Sequence, residues 1–213
     1  MDDRERDQLL SLRNQESLAG EIRVNFIRIV AIVAFFLNHL FAHYIEFVRP
    51  TDQASFHVAV LCIVIIWFLE SLFVYFWTSL KPWSVKGSVI VHSTDLLMIA
   101  TLIGISSAGP QSQFVFLLPI LIVASALRLH LPLVYVATLG SLLVYWMTLG
   151  CYVFVQVGMK AYYAEGSLFR IPRNEQIFAS IMILVTGLVA GQYTRQALRL
   201  ANAVAADLAE EDI

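Results

Sequence analysis

From residue 24 onward the chain is a succession of apolar runs, each near the length of a membrane crossing, with short polar stretches between them. Crossing the ~30 Å hydrocarbon core takes about 20 mainly apolar residues at ~1.5 Å rise each. Only helices and closed barrels satisfy their backbone polar groups there. Six runs approach the helical length: 24–44, 56–80, 89–106, 114–127, 131–154 and 177–193. The fourth is the shortest, and it meets the fifth at Arg128-Leu129-His130-Leu131-Pro132, where Pro132 suits a first helical turn. The expected fold is therefore all-α: a polytopic bundle of six transmembrane helices with cytoplasmic helices at both ends.

Composition agrees. The chain is 59% hydrophobic and 14% charged, against about 45–50% and about 25% in soluble domains. A net charge of −2 leaves no basic surplus for nucleic acid, so the bilayer itself is the expected partner. Cys62 and Cys151 both sit in apolar runs and read as small hydrophobes. Residues 1–20 carry mixed charges and no apolar core of a signal peptide, which leaves the N-terminus on the side of synthesis.

Lys and Arg placement orients the bundle. With the N-terminus inside, ten basic residues (Arg4, Arg6, Arg13, Arg23, Arg28, Lys81, Lys86, Arg128, Arg195, Arg199) face Arg49, Lys160, Arg170 and Arg173 on the other side. Both termini are thus expected in the cytoplasm. The outer connections are 45–55, 107–113 and 155–176. The chain divides into a cytoplasmic helix at 1–23, a membrane domain at 24–193 and a cytoplasmic signalling helix at 194–213. That last segment lacks Gly and Pro, and Leu198, Ala201, Ala205 and Leu208 follow a coiled-coil rhythm. Gly187 and Gly191 form a GxxxG just before it, which permits close helix approach. Together they make the sixth run the expected contact of a homodimer. No nucleotide loop, kinase motif or catalytic metal signature is present, so an output domain beyond residue 213 is expected.

Ionisable groups at bilayer depth cost about 2.5–3.5 kcal/mol or more each, which draws attention to Arg28, Glu70 and Asp95. Arg28 paired with Glu70 or Asp95 would tie three helices together; a functional ion path is the alternative. One cation against two acids leaves a spare carboxyl, which would either stay protonated or find another partner, with Arg128 and His92 as candidates. All five histidines lie near run ends. His39 and His43 share a helix face at the outer end of the first run, and His57 opens the second at that level. His92 and His130 form an inner set. Histidines from different helices at one depth are what bis-imidazole haem needs, so one or two haem b groups are a candidate cofactor. Zinc or copper at the outer three, or simple interfacial capping, are the other readings.

The stretch from His92-Ser93-Thr94-Asp95 to Ala126-Leu127-Arg128-Leu129, with the turn Ser106-Ser107-Ala108-Gly109-Pro110-Gln111-Ser112-Gln113-Phe114 between, resembles a segment of the six-span sensory modules of bacterial sensor kinases. In redox-responding kinases of the RegB/PrrB type the turn reads Gly-Gly-x-x-Asn-Pro-Phe and is associated with quinone. Gly109 and Phe114 match that pattern, while Ala108, Ser112 and Gln113 depart from it. The six-span anchors of class III nucleotide cyclases look similar. The resemblance implies a receptor for a membrane-soluble or redox signal, with a small membrane-soluble ligand. A membrane cytochrome remains open from the histidines. A transporter is disfavoured by the lack of inverted repeats and broken helices.

Overall fold

The computed structural model describes residues 3–45, 53–80, 85–106, 108–164 and 167–211, and the side-chain surroundings of 18–41, 56–78, 86–106, 108–164 and 167–203. The described residues form helices and turns without a strand. The helices are α1 (Asp3–Ile45), α2 (Gln53–Leu80), α3 (Val85–Ile105), α4 (Leu117–Ala126), α5 (Leu131–Cys151), α6 (Met159–Tyr162) and α7 (Arg173–Glu211). Two short 3-10 turns, Gly109–Gln111 and Gln113–Phe116, precede α4, and α5 widens into a π-helical turn at Tyr152–Val157. Arg49 and Lys81 of the expected charge pattern lie outside the described residues.

Five helical stretches are long and apolar enough to cross a membrane: Leu18–Phe41, Phe56–Thr78, Lys86–Ile105, Leu131–Val157 and Arg173–Ala203. The fourth expected span is the exception, because it forms only the shorter apolar helix Gln113–Ala126. The exterior is apolar, with Phe26, Ile66, Phe76, Leu97, Leu139 and Leu188 all exposed, while Glu21, Arg28, His92, Asp95 and Arg128 are buried. That inverted distribution has the character of a multi-pass membrane protein, since water would penalise both halves of it.

The boundaries expected after residues 23 and 193 are not breaks. α1 runs unbroken from the polar N-terminal segment through the first apolar run, and α7 carries the sixth run on to Glu211. Gly20 is tolerated within α1 because the backbone passes close to the α4–α5 turn: a Cβ there would lie 3.0 Å from the Leu127 carbonyl oxygen. The turn itself is tight. Leu129 takes a φ of 51°, His130 N-caps α5, and proline follows in the first turn.

α4 sits at the centre. It packs on α1, α3, α5 and α7, and Leu118 and Ile122 are fully buried. Its two ends meet α1 at widely separated levels. Asn38 bonds Gln113 before α4 (Nδ2 to Oε1, 2.5 Å), and Glu21 meets Arg128 after it at 3.0 Å. Those α1 positions are 17 residues apart, about 26 Å of helix. On α7 the matching contacts are Glu175 with Gln111 and Thr194 with the Ala126 carbonyl, 19 residues or about 29 Å apart. The short helix and its flanking turns therefore reach contacts about 26–29 Å apart along α1 and α7.

Candidate functional site

Helical spacing puts the buried polar groups on facing stripes. Glu21, Asn25 and Arg28 follow one another at steps of four and three along α1, and Ser88, His92 and Asp95 do the same along α3. The stripes are joined rung by rung. At the upper rung Arg28 Nη2 donates to Asp95 Oδ2 at 2.7 Å, and Trp67 Nε1 of α2 donates to Asp95 Oδ1 at 2.7 Å. Arg28 also reaches Asn25 Oδ1 at 3.3 Å, and Asn25 donates in turn to the Ser71 carbonyl of α2 at 3.0 Å. At the lower rung Glu21 accepts a hydrogen bond from Ser88 and forms an ion pair with Arg128 Nε at 3.0 Å. Burial pulls the Arg128 guanidinium below its usual pKa, and the Glu21 carboxylate opposes that shift.

Two cations thus face two carboxylates in a protein interior, each ion pair charge-balanced. Desolvation offsets much of the attraction in such pairs, so their contribution lies in fixing which helices meet and at what register. Between the rungs His92 is fully buried, and neither ring nitrogen has a hydrogen-bond partner among the described residues. Arg128 Nη1 and Nη2 and His130 Nδ1 are likewise buried without a hydrogen-bond partner.

Arg28 meets Asp95, as one of the two sequence alternatives has it. The spare carboxyl, Glu70, has a partner other than the two candidates. Glu70 accepts a hydrogen bond from Thr94 one helix away, and Arg128 turns to Glu21. Glu21 lies in the segment assigned to the cytoplasmic helix, so its pairing was missed. Asn25, Ser88 and Trp67 were missed as well. The shared four-three spacing on α1 and α3 is the signal that finds Glu21, Asn25 and Ser88, while Trp67 lies on α2 outside that pattern.

The histidines separate into different settings. His39 Nε2 and His57 Nδ1 touch at 3.1 Å, their rings stacked 5.3 Å apart with Phe56 edge-on to His39. The side chain of His43 lies outside the described residues. His39 and His57 supply two of the four ligands a tetrahedral ion takes, and no group of three metal-ligating side chains forms among the described residues.

The turn that resembles the quinone-associated segment is partly buried and tied down, with Gly109, Pro110, Ser112 and Phe114 inside and Ala108, Gln111 and Gln113 exposed. Gly109 has a φ of 51° and lies against the Tyr152 ring, Gln111 donates to Glu175 at 2.9 Å, and Phe114 is buried. The GxxxG is used within the chain: Gly187 is packed on Thr138 of α5, and Gly191 faces Leu131. Close approach is therefore made, but to α5 of the same chain. Leu198 is half-buried, and the side chain of Leu208 lies outside the described residues. No family model, curated protein or solved structure matches this chain.

Proposed function

We infer that the chain is the membrane sensor module of a bacterial signal-transduction protein, with six spans, both termini cytoplasmic and a homodimeric assembly. In this reading a membrane-soluble or redox signal biases the bundle between two arrangements, and α7 passes the change to a cytoplasmic output domain, a kinase or a nucleotide cyclase. The observation that carries it is α7. From Glu175, tied to the outer turn, to Thr194, tied to the end of α4, it covers about 29 Å, and it continues as helix for 17 residues more, about 26 Å. A rigid rod fixed at both faces of a bundle and projecting beyond one of them transmits displacement rather than absorbing it.

Six spans are supported by the reach of α4. Its flanking turns contact neighbours about 26–29 Å apart, close to the ~30 Å apolar thickness. A short helix suffices there because one side of it packs on protein, with Leu117, Leu118, Leu121 and Ile122 buried. The dimer contact moves to residues beyond 194, since the glycines above them face α5.

Cysteine cross-linking in membranes tests the lever. Single cysteines are placed along 194–211 after Cys62 and Cys151 are removed. Cross-linking that peaks at 198, 201, 205 and 208 and falls between them supports a paired helix. Uniform or absent cross-linking along the segment overturns it.

A further inference from the structure

The buried charge ladder borders a second feature, an apolar cleft along α1. Two small cavities of about 10 and 30 Å3 share Ala31, Trp67 and Leu117 as walls. The upper reaches Phe36 and Phe114, and the lower ends on Arg28 and Asp95. Along α1 they extend from Val24 to Phe36, about 18 Å of helix. Half-buried Ile27 of α1 and exposed Ile120 of α4 are among the walls of the lower cavity. As it stands the cleft has room for little more than water.

It is nevertheless built to open. Between residues 24 and 36 no hydrogen bond joins α1 to α4 among the described residues. The polar ties of α1 run to α2, α3 and the turns flanking α4. Between the Glu21–Arg128 and Asn38–Gln113 ties at its two ends, parting α1 from α4 therefore separates only apolar side chains. The polar end also has a defined vacancy in its hydrogen bonding. Asp95 has both oxygens engaged, by Arg28 and by Trp67, while Arg28 Nε is buried with no acceptor. The charge of Arg28 is already balanced by Asp95 at 2.7 Å.

We propose that the α1–α4 cleft binds a membrane-dissolved molecule with an apolar chain and one uncharged oxygen acceptor, such as a long-chain ketone, aldehyde or ester. The acceptor meets Arg28 Nε and the chain lies along Ala31 toward Phe36. A charged head is excluded because it would unbalance the Arg28–Asp95 pair inside the membrane. A plain alkane leaves Arg28 Nε unsatisfied. This gives the receptor reading a ligand class and rests on that reading for its purpose; the site itself is tested by binding alone. It adjoins the 106–114 turn through Phe114, which lines its upper end, while its polar end lies on Arg28 and Asp95.

The experiment uses the full chain in phosphatidylethanolamine–phosphatidylglycerol nanodiscs, photolabelled with a diazirine-bearing analogue of hexadecan-2-one. Saturable labelling is expected on peptides containing Ile27, Ala31, Ile120 or Ala124. Unlabelled hexadecan-2-one should compete, and hexadecane and palmitate should not. Saturation against the excess of bulk lipid separates a free ligand from phospholipid ester groups. Ala31→Trp and Ala124→Trp fill the cleft from either side and should each lose the labelling while keeping wild-type helicity and elution volume. Labelling spread over the lipid-facing surface, equal competition by hexadecane, or full labelling in both folded tryptophan variants overturns the site. Specific labelling that leaves the α7 cross-links unchanged upholds the site and overturns the receptor reading instead.

Discussion

Replacing Asp95 by leucine isolates what the upper rung of the ladder contributes. Asp95 accepts from Arg28 and from Trp67, both at 2.7 Å, and the Arg28 and Asp95 side chains are only 5% and 1% exposed. Asp95→Leu leaves a buried guanidinium without its counter-charge, which costs about 3–5 kcal/mol. The orphaned indole N–H of Trp67 adds about 1–3 kcal/mol. Arg28→Met alone should cost about 3–5 kcal/mol, because it strands the carboxylate. The double variant strands no charge, so it should lose only the indole contribution of about 1–3 kcal/mol and the hydrogen bond from Arg28 to Asn25, about 0.5–1.5 kcal/mol. The measurement is unfolding in mixed micelles by titration with sodium dodecyl sulfate, followed by circular dichroism, for all four members of the cycle. The expected signature is a double variant more stable than Asp95→Leu, with a coupling of several kcal/mol. Losses that simply add in the double variant would show that the two side chains do not act as a pair, and the ladder would lose its main support.

The other expectations concern packing and the outer face. Gly187→Ala should destabilise by about 1–3 kcal/mol, because the added Cβ collides with the Thr138 side chain, and Thr138→Ala in the same protein should recover part of the loss in the same titration. Gly109→Ala should lower stability by at least about 1 kcal/mol, since the φ of 51° and the Tyr152 ring both oppose a side chain. Gly104→Ala, in an open stretch of α3, should raise it by about 0.5–1 kcal/mol, and thermal denaturation ranks the two against wild type. His57→Ala should cost about 0.5–1.5 kcal/mol for the lost imidazole contact and leave the visible spectrum of the purified protein unchanged. A Soret band that vanished with His57 would make the outer histidines haem ligands instead.

The helical class and the long apolar helices were legible in the sequence because each run carries its own length and hydropathy. Arg28 and Asp95 stood out for the same reason: a lone charge in an apolar run is visible without any knowledge of its neighbours. What was hidden depends on which faces meet. Glu21 sits among other charged residues in a segment that reads as solvated, and only contact with Ser88 and the α4–α5 turn marks it as buried. The 187–191 glycines announce close approach but not the partner, and α5 fills that place with Thr138 and Leu131. The fourth run was read as a span by composition, whereas its first residues form a 3-10 turn anchored to α1, and only the remainder is α-helix.

The number of crossings decides most of this account, and sidedness of labelling measures it directly. In a background without Cys62 and Cys151, single cysteines replace Arg13, Lys160 and Arg199, and intact inverted and right-side-out vesicles are treated with a membrane-impermeant maleimide. Six spans require Arg13→Cys and Arg199→Cys to react from one side and Lys160→Cys from the other. If positions 13 and 199 react from opposite sides, the short fourth helix does not cross, and α7 cannot project into the compartment that holds the N-terminus.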